Sequence, residues 1–400
     1  MVHVAERTTR IEPTASSVAT QRARQLREQG HDIIALTQGE PDFDTPDHVN
    51  EAALNAMRSG QTHYTPVGGT PQMIDAIRTK FKRDNGLDYA TDQVMACNGG
   101  KQVIYNALMS TVEPGDEVIL LAPYWVAYAD MTRFADGVPV MLECHEELGF
   151  KVTPEQLEAA ISPRTRWLFL NSPNNPAGSI YSTNELRALA EVLNRHQRVL
   201  VMSDDIYEHI IFDGRSFVTM AEAAPELFDR TLTVNGVSKA YAMTGWRIGI
   251  CGGPAKLIKT MSKLQNQSTG NPCSISQAAA VAAFMGSQAI VVERTAEFQR
   301  RRDRIVEMLN EISGLTCRTP EGAFYAYPNC AGLIGRKSPG GKVMESDRDV
   351  MIYLMEQGGV GVVHGKAYGL SPHIRLSFAA SMEDLEEACR RIRAACQALA

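Results

Sequence analysis

The sequence predicts an α/β fold in which a large domain, with a mostly parallel seven-stranded sheet covered by helices, is joined to a smaller α+β domain. Seven short apolar runs between residues 94 and 253 lack polar alternation, as is typical of strands buried on both faces of a sheet. Helical patterns separate most of these runs, which indicates parallel strands joined by crossover helices. After about residue 290 the pattern changes to a long charged helix, mixed strands and a final helix. This change predicts the second domain.

The first elements of the chain are bounded by glycine and proline. A predicted amphipathic helix ends at Gly30, and the turn-rich segment GEPDFDTP (39–46) follows a short apolar run. A second irregular loop leads to Thr70 and Pro71, which are predicted to open a helix because proline fits the first helical position. Gly86 is predicted to end that helix.

The sheet of the large domain is predicted from runs that follow one another along the chain. RIGICGG comes soon after the preceding run with no helical pattern between them, so it is a candidate antiparallel strand. We assign residues 48–290 to the large domain, and residues 1–47 with 291–400 to the small domain. In order, the predicted strands are VMACN, EVILLAP, VPVMLE, WLFLN, VLVMSDD, TLTVNG and RIGICGG.

Composition argues against several classes of protein. The formal net charge is -6 and no basic block is present, which argues against binding to nucleic acid. No run of about 18 apolar residues occurs, so no membrane-spanning helix is expected, and the N-terminus lacks the apolar core of an export signal. The eight cysteines include no C-x-x-C pair, so we expect reduced core thiols, no metal site and a cytoplasmic location.

The Ser238-Lys239 pair follows the apolar run TLTV, which is predicted to be a buried strand. A buried lysine loses the solvation of its ammonium form, so its pKa falls and its amine becomes a nucleophile. Schiff-base chemistry with a carbonyl cofactor requires such an amine. Arg247 lies a short loop away, and its planar guanidinium suits a phosphate group. On this motif alone, an ordinary surface lysine and arginine remain the alternative.

Four further motifs follow predicted strands, where ligands of such folds bind. Each has an ordinary alternative: a helix start, a core aromatic, a turn, or a buried carboxylate. Together they place a phosphate cradle, an aromatic plate, a carboxylate and a phenol at one sheet edge with the lysine and arginine, a set that matches pyridoxal phosphate. The residues are Gly99, Gly100 and Lys101; Tyr124 and Trp125; Asn171, Asn174 and Asn175; and Asp204 with Tyr207.

From about Pro13 to the C-terminus, the chain resembles the fold-type I aminotransferases, and within them the bacterial aspartate aminotransferase-like branch (class I, subgroup Ib). The resemblance covers nearly the whole chain and implies pyridoxal 5'-phosphate as the cofactor. In the order of the family, the motifs that carry it are GEPDFDTP, HYTPVGGTP, NGGKQ, APYWVAY, NSPNNPAG, SDDIYEH, SKAYAMTGWRIG, GAFY and HIRLSFA.

The resemblance implies a role for each residue near the cofactor ring. Lys239 matches the lysine that binds the cofactor covalently and moves the substrate proton. Asp204 matches the carboxylate that keeps the pyridine nitrogen protonated, so that the ring accepts electrons. Tyr207 and Asn175 match the partners of the 3-oxygen, and Trp125 matches the aromatic that stacks on the ring.

The resemblance also implies a phosphate site that two subunits share. Tyr64 matches a tyrosine that reaches the phosphate of the neighbouring subunit, so a homodimer with shared active sites is implied. The phosphate-binding positions of the same chain are matched by Gly99, Gly100, Lys101, Ser238 and Arg247.

Substrate binding follows from the same resemblance. Arg375 matches the arginine that binds the substrate α-carboxylate, with Gly39, Asn175 and Trp125 beside it. Lys101 matches a lysine placed to meet a distal carboxylate, which favours aspartate and glutamate. For Lys101 the alternative is that it only supports the start of a helix, and for Arg375 that it is a surface charge on a strand.

We therefore expect a ping-pong aminotransferase that moves an amino group between an L-amino acid, aspartate or glutamate, and a 2-oxo acid. Broader or aromatic specificity, and a β-lyase or synthase of the same fold, remain alternatives. A cofactor-binding regulator is disfavoured because such proteins join this fold to a DNA-binding module, for which the chain has no basic region.

Two positions depart from the pattern of this branch. Relatives that transaminate prephenate carry a lysine before the N-terminal Pro-Ser/Thr-Ala motif, where this chain has Glu12 before Pro13. A carboxylate there would repel the dianionic prephenate, so that activity is an alternative to the expected one. His364 stands where relatives often have proline, and either alters the mouth of the pocket or is a neutral change.

Overall fold

The computed structural model describes residues 2–400. Within this range the strands are β1 Ile34–Ala35, β2 Val94–Cys97, β3 Glu117–Ala122, β4 Val138–Glu143, β5 Thr165–Asn171, β6 Leu200–Asp204, β7 Thr231–Gly236, β8 Gly249–Gly252, β9 Tyr325–Ala326, β10 Val360–Gly361, β11 Val363–His364 and β12 Ile374–Ser377. The α-helices are α1 Ala15–Glu28, α2 Asp47–Arg58, α3 Pro71–Asn85, α4 Gly100–Thr111, α5 Ala127–Phe134, α6 Pro154–Ala160, α7 Thr183–Arg195, α8 Met220–Ala223, α9 Ala255–Ser268, α10 Ser274–Met285, α11 Ala289–Asn310, α12 Asp347–Glu356 and α13 Met382–Gln397.

A seven-stranded sheet forms the centre of the molecule, in the order β2-β8-β7-β6-β5-β3-β4. Strand β8 runs antiparallel to β2 and to β7, and the other neighbouring strands are parallel. Each predicted strand is present, and the run RIGICGG contains the antiparallel strand β8. The prediction of a mostly parallel, helix-covered sheet is confirmed.

Strand β5 shows why the strands of the central sheet are continuous apolar runs in the sequence. Trp167 and Phe169 face a core that includes side chains of α4, α5 and α9. Leu168 and Leu170 alternate with them and face a core that includes side chains of α7. Both faces of the sheet are therefore covered, and neither face selects polar residues.

The register of the central strands aligns their carboxyl ends. Asn171 at the end of β5 pairs with Asp204 at the end of β6, and Asp204 pairs with Val234 of β7. Lys239 follows β7 by three residues. Polar groups from separate parts of the sequence are thus brought to one edge of the sheet, where parallel α/β folds bind ligands.

Helix α3 has the predicted boundaries. The Thr70 side chain accepts a hydrogen bond from the Met73 backbone N–H, and Pro71 occupies the first turn. Gly86 follows the helix with φ of 65°, a left-handed conformation that suits glycine. Helix α1 ends at Glu28, just before the predicted boundary at Gly30.

The remaining strands form two small sheets outside the central one. Strand β1 pairs in parallel with β10, and β12 lies antiparallel between β11 and β9. Side chains of α11, α12 and α13 pack with these strands in one hydrophobic core. This part of the molecule therefore mixes helices and strands, as the sequence pattern after about residue 290 predicts.

Helix length and hydropathy limit which of the described helices could cross a membrane. Taken singly, these helices are too short or too polar to cross a membrane. The bent pair α10 and α11, whose axes differ by 82°, meets the length and composition requirement together.

Candidate active site

A cavity of about 750 Å³ lies at the carboxyl ends of β5 and β6 and at the start of α4. It is bounded on one side by α1 and on another by the segment that follows β7. The cavity brings together most of the residues predicted to act in the site. They are Gly39, Gly100, Lys101, Trp125, Asn175, Asp204, Tyr207, Ser238, Lys239, Arg247 and Arg375.

The Lys239 side chain points into this cavity and donates a hydrogen bond of 2.5 Å to the Gly39 carbonyl oxygen. Its Nζ lies 5.8 Å from the centre of the Tyr207 ring. Burial, together with the charge of Arg375, lowers the pKa of Lys239 to about 8. Near neutral pH the group therefore has a larger neutral, nucleophilic fraction than a solvated lysine.

Asp204 is buried beside the lysine, with 6% of its surface exposed. Tyr128 donates a hydrogen bond of 2.5 Å to its Oδ2, and Asn171 donates one of 2.7 Å to its backbone oxygen. Burial raises the pKa of Asp204 to about 6, although the Tyr128 hydrogen bond opposes the rise. A buried carboxylate with this pKa is suited to hold a proton on a basic nitrogen placed next to it.

Tyr207 and Asn175 are buried on the side of the cavity that faces the small sheets. The Tyr207 hydroxyl lies 2.8 Å from the Tyr325 hydroxyl. Asn175 accepts a hydrogen bond of 3.3 Å from Arg375 Nη1 through Oδ1. The phenol and the amide are therefore held by other side chains of the site, which fixes their direction.

Arg375 is 3% exposed, so the surface alternative for this residue is wrong. Its guanidinium lies 4.6 Å from the centre of the Tyr325 ring and 5.3 Å from that of Tyr368, and Nη2 donates to the Thr37 carbonyl oxygen. Its Nε is buried without a hydrogen-bond partner among the described residues. A buried guanidinium that has no ion-pair partner in the described part of the chain is suited to bind the carboxylate of a ligand.

The start of α4 forms a cradle that excludes side chains. Gly99 has φ of 85°, and a Cβ at this position would lie 2.4 Å from Arg247 Nη2. A Cβ on Gly249 would lie 2.2 Å from the Gly100 nitrogen. No side chain caps α4 in the described part of the chain. Backbone N–H groups, the helix dipole and the Arg247 guanidinium thus meet in a space that suits a phosphate group.

Lys101 and Trp125 lie together at the mouth of the cavity. Lys101 Nζ is 5.1 Å from the centre of the Trp125 ring. Partial burial beside Trp125 and the positive charge of Arg247 lower the pKa of Lys101. The Lys101 ammonium group faces the same cavity as Arg375.

Within one chain, Tyr64 lies apart from the residues that line the cavity. Its side chain is 99% exposed, and it does not line the cavity. Full exposure of a tyrosine is unusual because the ring is largely apolar.

Several residues of the site were not assigned from the sequence. Tyr128 and Tyr325 lie within the quoted motifs APYWVAY and GAFY, but no role was given to them. Glu40 accepts a hydrogen bond of 2.7 Å from the Thr244 hydroxyl across the mouth of the cavity. The spacing of Trp125 and Tyr128, three residues apart near the start of α5, is a signal that both reach one face.

A second cavity, of about 990 Å³, is larger but does not contain Lys239, Asp204 or Arg375. His364 lines this second cavity, so it does not form the mouth of the Lys239 cavity. Glu12 is exposed and lines neither cavity, whereas Thr14 lines both. We place the active site in the smaller cavity because the chemically suited groups converge there.

The donors and acceptors of the cavity fit pyridoxal 5'-phosphate. The glycine cradle and Arg247 suit its phosphate, Asp204 suits its ring nitrogen, and the Lys239 amine suits its aldehyde carbon. These three positions lie in one continuous cavity. The fit rests on side-chain chemistry and on the space that Gly99 and Gly249 keep open.

Comparison with known proteins gives the family. A family model described as aminotransferase class I and II matches residues 31–392. The aspartate/prephenate aminotransferase of Cereibacter sphaeroides (strain ATCC 17029 / ATH 2.4.9) is 52% identical over 399 residues, with 100% of both chains covered. The aspartate aminotransferase of Rhizobium meliloti (strain 1021) is 53% identical over 378 residues, which cover 94% of this chain and 92% of that protein.

Solved structures agree with the sequence comparison. The crystal structure of the aspartate aminotransferase from Rhizobium meliloti superposes with a TM-score of 0.98 at 51% identity, and 100% of both chains is covered. The aspartate aminotransferase from Thermus thermophilus with maleate gives a TM-score of 0.91 at 40% identity, over 99% of this chain and 100% of that one. With this agreement and a cavity suited to amino-group transfer, the chain belongs to the class I and II aminotransferases and is an enzyme that moves amino groups between amino acids and 2-oxo acids.

Proposed function

We propose that this aminotransferase uses pyridoxal 5'-phosphate to move an amino group between an L-amino acid, aspartate or glutamate, and a 2-oxo acid by a ping-pong mechanism. The observation that carries the proposal is the convergence of Lys239, Asp204 and Arg375 in one cavity. A nucleophilic amine, a carboxylate for a ring nitrogen and a guanidinium for a substrate carboxylate serve transamination together.

Each residue proposed to bind the cofactor is assigned to the cofactor group that its chemistry suits. Lys239 binds the aldehyde carbon, and Asp204 holds a proton on the ring nitrogen. The phosphate is bound by Gly99, Gly100, Lys101, Ser238 and Arg247, and the 3-oxygen by Tyr207 and Asn175. When bound, pyridoxal phosphate supplies an electron sink for the bonding electrons of the substrate α-carbon.

The proposed substrate residues orient the amino acid. Arg375 binds the α-carboxylate with Gly39 and Asn175 beside it, which turns the α-carbon toward Lys239. Once the amino group of the substrate replaces Lys239 at the aldehyde carbon, the freed lysine amine would take the proton from the α-carbon, because its pKa of about 8 suits a general base near neutral pH. Trp125 packs on the ring and excludes water from this space.

The proposed preference for aspartate and glutamate rests on Lys101. Its ammonium group lies 5.1 Å from the Trp125 ring centre at the mouth of the cavity. A second cation beyond Arg375 favours amino acids that carry a distal carboxylate. The names of the two relatives compared above, both of which include aspartate, support this preference.

Prephenate is a second candidate acceptor, favoured by one relative whose name includes it. The expected obstacle was repulsion by Glu12. Because Glu12 is exposed and outside the cavity lining, its carboxylate is well screened by water. A coupled assay with aspartate as donor and prephenate as acceptor tests this activity directly.

We further propose a homodimer with shared active sites, in which Tyr64 reaches the phosphate of the neighbouring subunit. The full exposure of Tyr64 supports this arrangement. The division into residues 48–290 and residues 1–47 with 291–400 is proposed as two domains that meet at the cavity. A cytoplasmic location is proposed from the eight free cysteines, seven of which are buried.

The decisive experiment is the absorbance spectrum of the purified protein, followed by addition of L-aspartate or L-glutamate. We expect a band between about 360 and 430 nm that shifts toward about 330 nm with either amino acid. A protein that takes up no pyridoxal phosphate, even when it is added, contradicts the proposal.

The response to other amino acids separates the remaining alternatives. A shift with aromatic or uncharged amino acids alone would keep the mechanism and reject the acidic substrate. Release of ammonia, or of a product that has lost its side chain, would identify a lyase or synthase instead.

A further inference from the structure

A buried ion pair lies behind the active site. Lys80, on the last turns of α3, contacts Glu208, the residue after Tyr207. Their side chains are 1% and 3% exposed. Lysine and glutamate are almost never buried to this degree unless they are paired, so the pair requires an explanation.

Further polar groups complete a network around the pair. Lys80 Nζ donates a hydrogen bond of 2.7 Å to Asn85 Oδ1, and Asn85 Nδ2 donates one of 2.7 Å to Glu208 Oε2. His209 Nε2 lies 3.2 Å from Glu208 Oε1 and 3.4 Å from Asp84 Oδ2. Glu208 Oε2 thus accepts a hydrogen bond, whereas Oε1 is held by ion pairing alone among the described residues, and Lys80 is shared between the helix and the carboxylate.

The network is charged rather than neutral. Burial alone would raise the pKa of Glu208, but the charges of Lys80 and His209 outweigh it and lower that pKa to about 2. Burial would lower the pKa of His209, whereas Glu208 and Asp84 raise it to about 9. Cations and anions therefore alternate through the cluster at neutral pH.

A bound metal ion is not needed to balance these carboxylates. Ligand atoms of Asp84, Glu208 and His209 lie within 4.8 Å of one another, as they would around an ion. Lys80 Nζ occupies this neighbourhood, however, in contact with Glu208 and 3.7 Å from Asp84 Oδ2. The Lys80 ammonium group, with the His209 side chain, supplies the positive charge that an ion would otherwise bring.

The network holds the turn that carries two residues of the active site. Asp204 ends β6, and the Glu208 backbone N–H donates 2.9 Å to the Asp205 carbonyl oxygen. Tyr207 lies inside this turn. The Ile210 backbone N–H donates a hydrogen bond of 2.8 Å to the Tyr207 carbonyl oxygen. A change in the Glu208 side chain therefore acts directly on the backbone of Tyr207.

Stability alone does not account for a buried pair of this kind. Hydrophobic side chains of similar volume are often as stabilising as a buried ion pair, since they avoid the cost of desolvating two charges. Charged hydrogen bonds differ from apolar contacts in being directional, so they fix an orientation that packing leaves looser. The network is thus better suited to set geometry than to add stability.

We propose that Glu208 is a positioning residue which, with Lys80, fixes the turn carrying Asp204 and Tyr207 relative to Lys239. The inference rests on the proposed function, because those residues act through pyridoxal phosphate. Glu208 itself touches neither substrate nor cofactor, since it does not line the cavity.

The test separates positioning from stability by comparing single and double variants. Lys80→Met and Glu208→Gln each leave a buried polar group without its partner, whereas Lys80→Met/Glu208→Leu replaces the pair by apolar groups. We expect both single variants to lower the urea midpoint of the cofactor-free protein and the double variant to regain only part of it, because the unpaired charge is gone but Asn85 has lost both hydrogen-bond partners. Despite this, kcat of the double variant should stay down about tenfold, with KM within about twofold.

A spectroscopic readout accompanies the kinetics. With pyridoxal phosphate bound, the pH midpoint of the visible band should shift in the double variant by about half a unit or more, because Asp204 and Tyr207 have moved. Lys82→Met, which removes the exposed pair with Asp88 from the same helix, should change neither readout.

Recovery of stability, kcat and the pH midpoint together in the double variant would overturn the positioning role. Should that variant not fold, Glu208→Gln alone decides, since wild-type kcat and pH midpoint in that variant would also reject the role. A wild-type protein without a visible band or transamination would instead reject the proposed function, and the positioning role would fall with it.

Discussion

Lys239 Nζ donates a 2.5 Å hydrogen bond to the Gly39 carbonyl oxygen, which ties the nucleophile to the segment that precedes α2. Glu40, the next residue along that segment, accepts from Thr244 on the loop that contains the lysine. The segment and the loop are therefore joined at two points across the cavity mouth. Binding an aldehyde at Lys239 would leave Nζ with at most one hydrogen and so would weaken the first of these bonds, whereas the second does not involve Nζ.

Capture of an aldehyde by the cofactor-free protein should depend on the pKa of Lys239. Burial and the charge of Arg375 lower that pKa to about 8, and only the neutral amine attacks a carbonyl carbon. We therefore expect the rate of pyridoxal phosphate uptake to rise with pH, with a midpoint near 8, in stopped-flow absorbance measurements.

The matched control for this rate is Lys239→Ala, which should show only slow labelling of surface lysines, whose pKa values are about 10.4. A midpoint near about 10 in the unmodified protein would mean that Lys239 is solvated like a surface lysine.

Asp204→Asn should greatly lower activity and stabilise the cofactor-free protein. Burial raises the folded-state pKa of Asp204 to about 6 from a reference of 3.8, so the folded protein holds this proton more tightly than the unfolded chain does. The stabilisation this gives is present at low pH and lost as the pH rises through 6, above which a buried charge remains. Asparagine removes that charge at little cost in shape.

We expect the urea midpoint of the Asp204→Asn variant to exceed that of wild type at pH 8, with a gain that shrinks toward pH 4. With cofactor bound, kcat should fall at least about a hundredfold, because the ring nitrogen loses its carboxylate. A variant that keeps near wild-type kcat would show that Asp204 does not hold a proton in catalysis.

Much of the fold can be predicted from the sequence because the patterns that indicate its strands and helices are local. In β5, Trp167 and Phe169 face one core and Leu168 and Leu170 the other, so burial on both faces leaves a continuous apolar run. The boundaries of helix α3 can be predicted for the same reason, since Thr70, Pro71 and Gly86 act on their immediate neighbours. Such features need no knowledge of distant residues.

The missed parts of the site depend on contacts between distant parts of the sequence. Tyr128 and Asp204 are 76 residues apart, and Tyr207 and Tyr325 are 118 apart, yet each pair shares a hydrogen bond. A buried tyrosine that packs in a core has the same local sequence as one that serves a carboxylate. Position after a buried strand made Lys239 a candidate nucleophile with an ordinary surface lysine as the alternative, whereas the role of Arg375 came only from the resemblance of its motif to that of a family.

Lys101→Gln and Arg375→Lys should affect different parts of the substrate. We expect Lys101→Gln to lower kcat/KM for aspartate and glutamate by about tenfold to a hundredfold, since a charge-assisted bond is lost. For alanine, which has no distal carboxylate, kcat/KM should fall by much less, and that smaller loss measures the contribution of Lys101 to phosphate binding. Steady-state kinetics with these three amino acids provide the measurement.

Arg375→Lys should instead raise KM for all three amino acids, because lysine cannot form the two parallel hydrogen bonds that arginine gives a carboxylate. Equal losses for alanine and aspartate in the Lys101→Gln variant would remove the argument for a distal-carboxylate site. The alternative, a role for Lys101 at the phosphate alone, would then be preferred.

Mixing two inactive variants should restore activity if subunits share their sites. A mixed dimer of Lys239→Ala and Tyr64→Ala chains carries both changes in one site and none in the other, provided that Tyr64 acts in its partner's site. After subunit exchange at equal concentrations, half of the dimers are mixed and half of their sites are intact, so activity should approach about a quarter of wild type. Exchange is checked by native mass spectrometry of the mixture. Mixed dimers without recovered activity would place Tyr64 outside the partner's site, and its exposed ring would then need another partner.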